Sequence, residues 1–168
     1  MRLLSRRLAL GAAVVVGAAA LAASALAATV SDPNDVSGKL DLRSVTATRS
    51  GGLITVTVRT WDSWTNSVVG QASANRLFVL FDPDLDGTTE YKGRILYSGG
   101  ALILLVTGQG QAYEPVAVTR LSGTKVSFTF PVDVLVSVDD DLQVAASSRY
   151  LGVKDRAPDS GWLLVPAP

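Results

Sequence analysis

Asp82-Pro83-Asp84-Leu85-Asp86-Gly87-Thr88-Thr89-Glu90 sets three carboxylates at alternate positions and follows them with glycine. That spacing opens an EF-hand-type calcium loop, in which successive oxygens turn toward one point. Calcium takes about six to eight oxygen ligands. The twelfth position of such a loop, where a bidentate Glu belongs, is Gly93. The flanks, Phe78–Phe81 and Lys92–Tyr97, read as strands and not as helices. Asp, Pro and Gly also build turns, so a solvated hairpin turn is the competing reading. As a site, Asp82, Asp84 and Asp86 would bind calcium weakly, at ~10⁻⁴–10⁻³ M, as extracellular modules do.

Two more acidic groups stand far apart in the chain. One contains Asp32, Asp35 and Asp41; the other is Asp155-Arg156-Ala157-Pro158-Asp159. Chain ends tend to lie close together in a domain. If the terminal strands are neighbours, Asp32, Asp35, Asp41 and Asp155 converge on a cation that ties the ends. The competing reading is loop polarity, with Asp155 paired to Arg156 or Lys154.

Composition removes several chemistries. The chain has no His, no Cys and a single Met, Met1. Ser-His-Asp and Cys-His machinery need what is missing. So do His- or Cys-based zinc sites. The usual haem ligands are absent except Tyr, so no haem is expected. A metal here must be a hard cation held by oxygen, of which calcium is the expected one.

Those residues sit among short strands separated by turns. In Leu53–Thr60, Ile54, Val56 and Val58 face one way and Thr55, Thr57 and Arg59 the other, as in a half-buried strand. Arg49-Ser50-Gly51-Gly52 is a turn, which makes Lys39–Thr48 its hairpin partner. Arg76–Phe81 is apolar on both faces, like a central strand. Lys92–Tyr97, Ala101–Thr107, Pro115–Leu121, Lys125–Phe130 and Leu142–Ser148 follow. Pro131–Leu135 suits one helical turn opened by proline. Trp162–Val165 reads as a closing strand or a tail. Eight or nine short strands with regular turns predict an all-β, two-sheet antiparallel β-sandwich of jelly-roll type.

Asp32-Pro33, Asp35, Gly38 and Leu40-Asp41-Leu42, then Thr60-Trp61-Asp62 and Trp64, then the Asp-rich hairpin ending in Tyr91, form one series. Ser148-Arg149-Tyr150 and Asp155-Arg156-Ala157-Pro158-Asp159 complete it. The series resembles secreted bacterial β-sandwich domains of the DOMON-like group, which includes family-nine carbohydrate-binding modules. The resemblance implies a jelly roll with a structural calcium on Asp32, Asp35 and Asp41. It also implies a choice between haem and sugar. The haem branch needs Met or His ligands. The sugar branch stacks pyranose rings on aromatics, for which Trp61, Trp64 and Trp162 are candidates. Trp61 falls on the polar face of its strand, and Trp64 lies in the following loop, 62–67, as an exposed ring would. Core or rim packing is the competing reading for both.

Catalysis is not expected. A glycosidase needs two carboxylates, one with a raised pKa. No Asp or Glu reads as sitting in an apolar setting; Asp62, between two tryptophans, comes nearest, and Asp133 and Asp139–Asp141 read as solvated turns.

The N-terminus sets the compartment. Arg2, Arg6 and Arg7 precede an apolar run, Leu8–Ala23, and Ala25-Leu26-Ala27 offers small residues at signal-peptidase spacing. Residues 1–27 therefore read as a removable signal peptide, and 28–168 as a single domain. A permanent membrane anchor is the competing reading. The run is Ala- and Gly-rich and has no basic stop, so no stable span is expected after cleavage. Ser5-Arg6-Arg7-Leu8-Ala9-Leu10 resembles a twin-arginine signal without its usual Phe and Lys. The chain has 15 basic and 15 acidic residues, and the three arginines leave with the signal. The remainder is acidic and gives no overall attraction to nucleic acid or an anionic membrane. The expected product is a secreted, non-catalytic domain facing an extracellular glycan or a cell-surface protein, or a structural domain without a small ligand.

Overall fold

The computed structural model describes residues 26–137 and 139–168. The signal-sequence expectation, 1–27, lies outside them except for Leu26 and Ala27. Twelve strands form among the described residues. The first six are β1 (Leu26–Ser31), β2 (Leu42–Ser50), β3 (Leu53–Thr60), β4 (Arg76–Asp82), β5 (Tyr91–Ser98) and β6 (Ala101–Gly108). The others are β7 (Gln111–Ala112), β8 (Val116–Ser122), β9 (Lys125–Pro131), β10 (Leu142–Tyr150), β11 (Val153–Ala157) and β12 (Leu163–Val165). Single 3₁₀ turns cover Asn66–Val69 and Val132–Val134, the second being the turn expected after Pro131. No helix among the described residues is long and apolar enough to cross a membrane.

The expected all-β, antiparallel class is what the chain adopts. The strands follow one hydrogen-bonded path, β1-β2-β3-β9-β8-β6-β5-β4-β10-β11, with β12 on β10 and β7 on β6. The path curls until its ends meet. β1 packs against β12, and β2 against β10 and β11, so the sheet is nearly closed as a barrel.

Period-two alternation explains the walls. Ile54, Val56 and Val58 of β3 point inward, as do Val126, Phe128 and Phe130 of β9, and all are buried. On the outer face the same strands join hydroxyls, Thr55 to Thr129 at 2.8 Å and Thr57 to Ser127 at 3.0 Å. Phe81 of β4 meets Phe130 of β9 edge-on at 5.7 Å, although the two strands are not neighbours in the sheet. The two arms therefore share one interior.

Three strands escaped the sequence reading. β11 carries a buried carboxylate, Asp155, at an inward position, which breaks the apolar signal. β7 has only two residues. β1 straddles the boundary between the presumed leader and the polar lead-in, and it pairs with β2 from Leu26↔Arg49 to Ser31↔Ser44.

Candidate metal centres

β1 ends at Ser31, and Asp32 continues its pairing by donating N–H to the Arg43 carbonyl at 2.8 Å. The chain then loops through 33–41 and returns as β2. Gly38 lies at φ +136, and a Cβ there would stand 2.5 Å from the Tyr150 ring, so the loop presses directly on β10. Ser148 Oγ donates to the Leu40 carbonyl at 2.6 Å, and the Trp61 N–H donates to the Asp41 carbonyl at 2.9 Å. The loop is thus held against β10 and the end of β3.

Across from it stands β11. Asp155 Oδ2 accepts from the Leu42 N–H at 2.5 Å, and Oδ1 from the Arg156 N–H at 2.7 Å. One carboxylate oxygen each from Asp32, Asp35, Asp155 and Asp159 lies within 4.8 Å of the others. The chain ends do bring distant acidic groups together. The set differs from the expected one: Asp159 stands where Asp41 was expected. Asp41 is buried beside the cluster with Oδ1 unpartnered. Asp159 belongs to the acidic motif noted in the sequence, but only the turn after β11 aims it at Asp32.

Asp32 is the unusual group. It is 4% exposed, and both of its carboxylate oxygens lack a hydrogen-bond partner. Burial, then the charges of Asp155, Asp159, Asp35 and Asp41, push its pKa up to about 7. Burial first, then Asp155, Asp35 and Asp62, raise Asp41 to about 6. Asp155 is also raised by burial, against the opposing pull of the Leu42 and Arg156 amides. No lysine or arginine is among the groups acting on Asp32. These values overturn the expectation that no carboxylate sits in a setting that raises its pKa. The charges that act on Asp32 come from both ends of the domain, Asp35 and Asp41 on one side and Asp155 and Asp159 on the other, so they do not meet in local sequence.

A pH dependence follows. An unfolded Asp ionises near 3.8, whereas native Asp32 holds its proton to about 7 and Asp41 to about 6. Between those values the native state binds more protons than the unfolded one, so stability falls as pH rises. In chelator, the melting temperature should drop from pH 5 to pH 7.5 and then level off. A melting temperature that rises across that window would contradict the buried position of Asp32.

The second acidic group is the β4–β5 hairpin. Leu85 and Gly87 adopt positive φ, +61 and +87, which coils the loop tightly. Carboxylate oxygens of Asp82, Asp84, Asp86 and Glu90 lie within 4.8 Å of one another. Asp82 is fully buried; its Oδ2 accepts from the Gly87 N–H at 2.8 Å, while Oδ1 has no partner. Glu90 Oε2 is likewise buried and unpartnered. Thr88 Oγ1 lies 2.7 Å from Asp86 Oδ1, which helps hold Asp86 below its usual pKa, while burial raises Asp82. The flanks are strands, as the sequence indicated. Glu90 supplies an acid that the EF-hand register sought at Gly93. Trp162 Nε1 donates to the Gly87 carbonyl at 3.3 Å, tying this hairpin to the segment before β12.

The tryptophans lie elsewhere than expected. Trp64 is 4% exposed and part of the core, with the Arg120 guanidinium 3.9 Å from its ring centroid. The expectation of an exposed ring in that loop is corrected: the loop folds back, and the backbone N–H of Trp64 donates to the Gly123 carbonyl at 3.0 Å. Trp61 is half-buried, with Arg43 4.5 Å over its ring. Trp61 and Trp64 thus do not form a bare aromatic platform.

No family model matches this chain, and no curated protein does. Among solved structures it is similar to a chain from "pH-induced modulation of Streptococcus parasanguinis adhesion by Fap1 fimbriae". The likeness covers 86% of this chain and 90% of that one, at 16% identity and a TM-score of 0.28.

Proposed function

We propose that this chain is an exported, non-catalytic domain whose ends are held together by calcium bound to Asp32, Asp35, Asp155 and Asp159. The observation that carries the reading is Asp32, a buried carboxylate with neither oxygen partnered, surrounded by three more acids. An isolated buried carboxylate is costly, and a hard cation is what such a set of oxygens accommodates. In this reading the fold is the two-sheet jelly-roll sandwich of the DOMON-like group, its two layers being the arms of the curled sheet. The hairpin carboxylates Asp82, Asp84, Asp86 and Glu90 form a second, weaker site.

A structural ion suits the geometry better than catalysis. The Asp32 oxygens are closed off from solvent, so this raised-pKa acid does not reach a substrate. The primary role is therefore that of a cell-surface structural or interaction domain. Trp61 and Trp64 contribute to it as packing residues.

Calorimetric titration of the chelator-treated protein tests this. Two calcium ions should bind, with dissociation constants of roughly 10⁻⁴–10⁻³ M or tighter. Asp82→Asn should remove one and Asp32→Asn the other. Absence of binding at millimolar calcium would refute both sites. Loss of both ions on either substitution would refute their independence.

A further inference from the structure

Every strand of a curled antiparallel sheet ends on one of two rims. One rim carries the β10–β11 turn, the end of β3 and the start of β9; the other carries the β4–β5 hairpin, the start of β8 and the end of β9. Exposed charge divides between them by sign. On the first rim, Lys39, Arg59, Lys125, Arg149 and Lys154 are exposed. Register sets Arg59 opposite Lys125 and Arg149 opposite Lys154. Like charges directly opposite each other destabilise a sheet, so folding alone does not account for these pairs. The exposed acids nearby are Asp62, and Asp35 and Asp159 of the cluster already described. On the second rim the exposed acids are Asp84, Asp86, Glu114, Asp133, Asp139 and Asp140, with Lys92 the exposed base beside them.

The basic rim also carries a knob. Leu151 and Gly152 form the two-residue turn between β10 and β11, at φ +50 and +92. Two positive φ values are those of a type I′ turn, which favours Asn-Gly. A leucine is strained there, yet its side chain is 79% exposed, and Val153 beside it is 47% exposed. Asn75 Oδ1 accepts from the Leu151 N–H at 3.0 Å, which holds the turn in place. A strained backbone that presents an apolar side chain to water points to a contact made outside the chain. The acidic rim carries a recess. β6 and β8 pair only at Ile103↔Ala117 and Leu104↔Val116, so the sheet opens beyond Val116. The groove left there, ≈ 360 Å³, is lined by the buried Val106 and Phe130 and by Glu114, Pro115, Val116 and Val134. A cavity of about 150 Å³ holds a benzene-sized group, so this groove has room for Leu151 together with Val153.

We infer that the chain associates head to tail with a second copy of itself: the Leu151 turn of one molecule seats in the β6–β8–β9 groove of the next, and Arg149 and Lys154 meet Glu114 and Asp133. Charge complementarity selects this occupant. A small apolar molecule would fill the groove and leave the Leu151 turn and its paired bases without a role. An anionic membrane would engage the basic rim and leave the groove empty. A second copy uses both. Knob and groove lie on opposite rims, so each contact leaves one free knob and one free groove. A heterologous contact of this kind does not close on itself and grows into a chain of molecules. It covers a single turn and its surroundings, so each link is weak and its charged part is sensitive to salt.

Sedimentation of the calcium-loaded protein tests this. At low salt the average mass should climb past that of a dimer as the protein approaches millimolar concentration. It should fall back in about 1 M salt, where the screening length is about 3 Å. Leu151→Asn should weaken association about tenfold or more, through the lost apolar burial. The same variant should melt no lower than the parent, because asparagine suits the turn. Val134→Arg should block the groove, and Pro115→Arg, an exposed change, does so should the first lower the melting temperature. Mixing gives the decisive result. Leu151→Asn keeps its groove and Val134→Arg keeps its knob, so the two should form one-to-one dimers and stop there, while each alone stays monomeric. A parent that is monomeric at millimolar concentration, or that stops at a dimer, would overturn the inference. So would a Leu151→Asn variant that associates like the parent, or a mixture that forms no dimer. Binding of phosphatidylglycerol vesicles that depends on Leu151, with no self-association, would give the knob to a membrane instead. None of the substituted residues belongs to an acidic cluster, so calcium titration reads the metal sites separately from this contact.

Discussion

Saturating calcium should raise the melting temperature of the chelator-treated protein by about 8 °C at pH 7.5. A site filled to 100 times its dissociation constant adds ~2.7 kcal/mol. For a domain of this size each kcal/mol moves the midpoint by roughly 3 °C. The effect should be larger than for an ordinary surface site because the apo state is penalised. Asp32 is buried without partners and faces Asp155, Asp159, Asp35 and Asp41. The same logic inverts the sign of one substitution. Asp32→Asn removes a repelled, desolvated charge, so in chelator at pH 7.5 it should melt no lower than the parent, and higher if the amide finds a partner. In calcium it should melt several degrees below the parent, because the site has lost a ligand. Scanning calorimetry of both proteins, with calcium and with chelator, measures all four values. A parent curve unmoved by millimolar calcium ends the metal reading. A variant that melts far below the parent in chelator would mean that Asp32 is a structural partner and not a strained ligand.

Trp64→Ala should cost about 3–5 kcal/mol, lowering the melting temperature by roughly 10–15 °C. The ring is buried in the core cluster and lies under Arg120, which also donates Nε–H to Asn66 Oδ1 at 2.8 Å. Truncation leaves a cavity near the loop that Trp64 pins to Gly123, and it removes the cation–π partner of Arg120. Trp64→Phe keeps most of the volume and should recover much of the loss. Thermal melting of the two variants decides the matter. A drop of only a degree or two for Trp64→Ala would place the ring outside the core and return it to the list of ligand-stacking candidates.

Much of the fold was legible because alternation is local. Leu53–Thr60 is a strand with the limits read from its sequence, and Lys125–Pro131 extends the reading by one residue. The Pro131 turn and the hairpin flanks of Asp82–Glu90 were legible for the same reason: proline, glycine and β-branched residues act within a few positions. Reading failed where an inward position is polar or where a loop folds back. Asp155 disguised β11, and the loop after β3 gave no sign that Trp64 turns into the core.

By itself the sequence limited the chemistry to oxygen. Without histidine or cysteine, any resident metal must be a hard cation, whatever the fold. It also placed acids near both ends of the domain and in one hairpin. Which acids meet was decided only by tertiary structure. Asp32 and Asp159 come together because β1 pairs with β2, and β11 with β10, while the sheet curls to bring β2 against β10 and β11. Asp41, nearer in sequence to Asp35 than Asp159 is, falls just outside. Register likewise sets Arg149 of β10 between Lys154 of β11 and Arg76 of β4. Period-two alternation sets which face a side chain takes, but register and strand order choose its neighbours across the sheet, and those depend on contacts far apart along the chain.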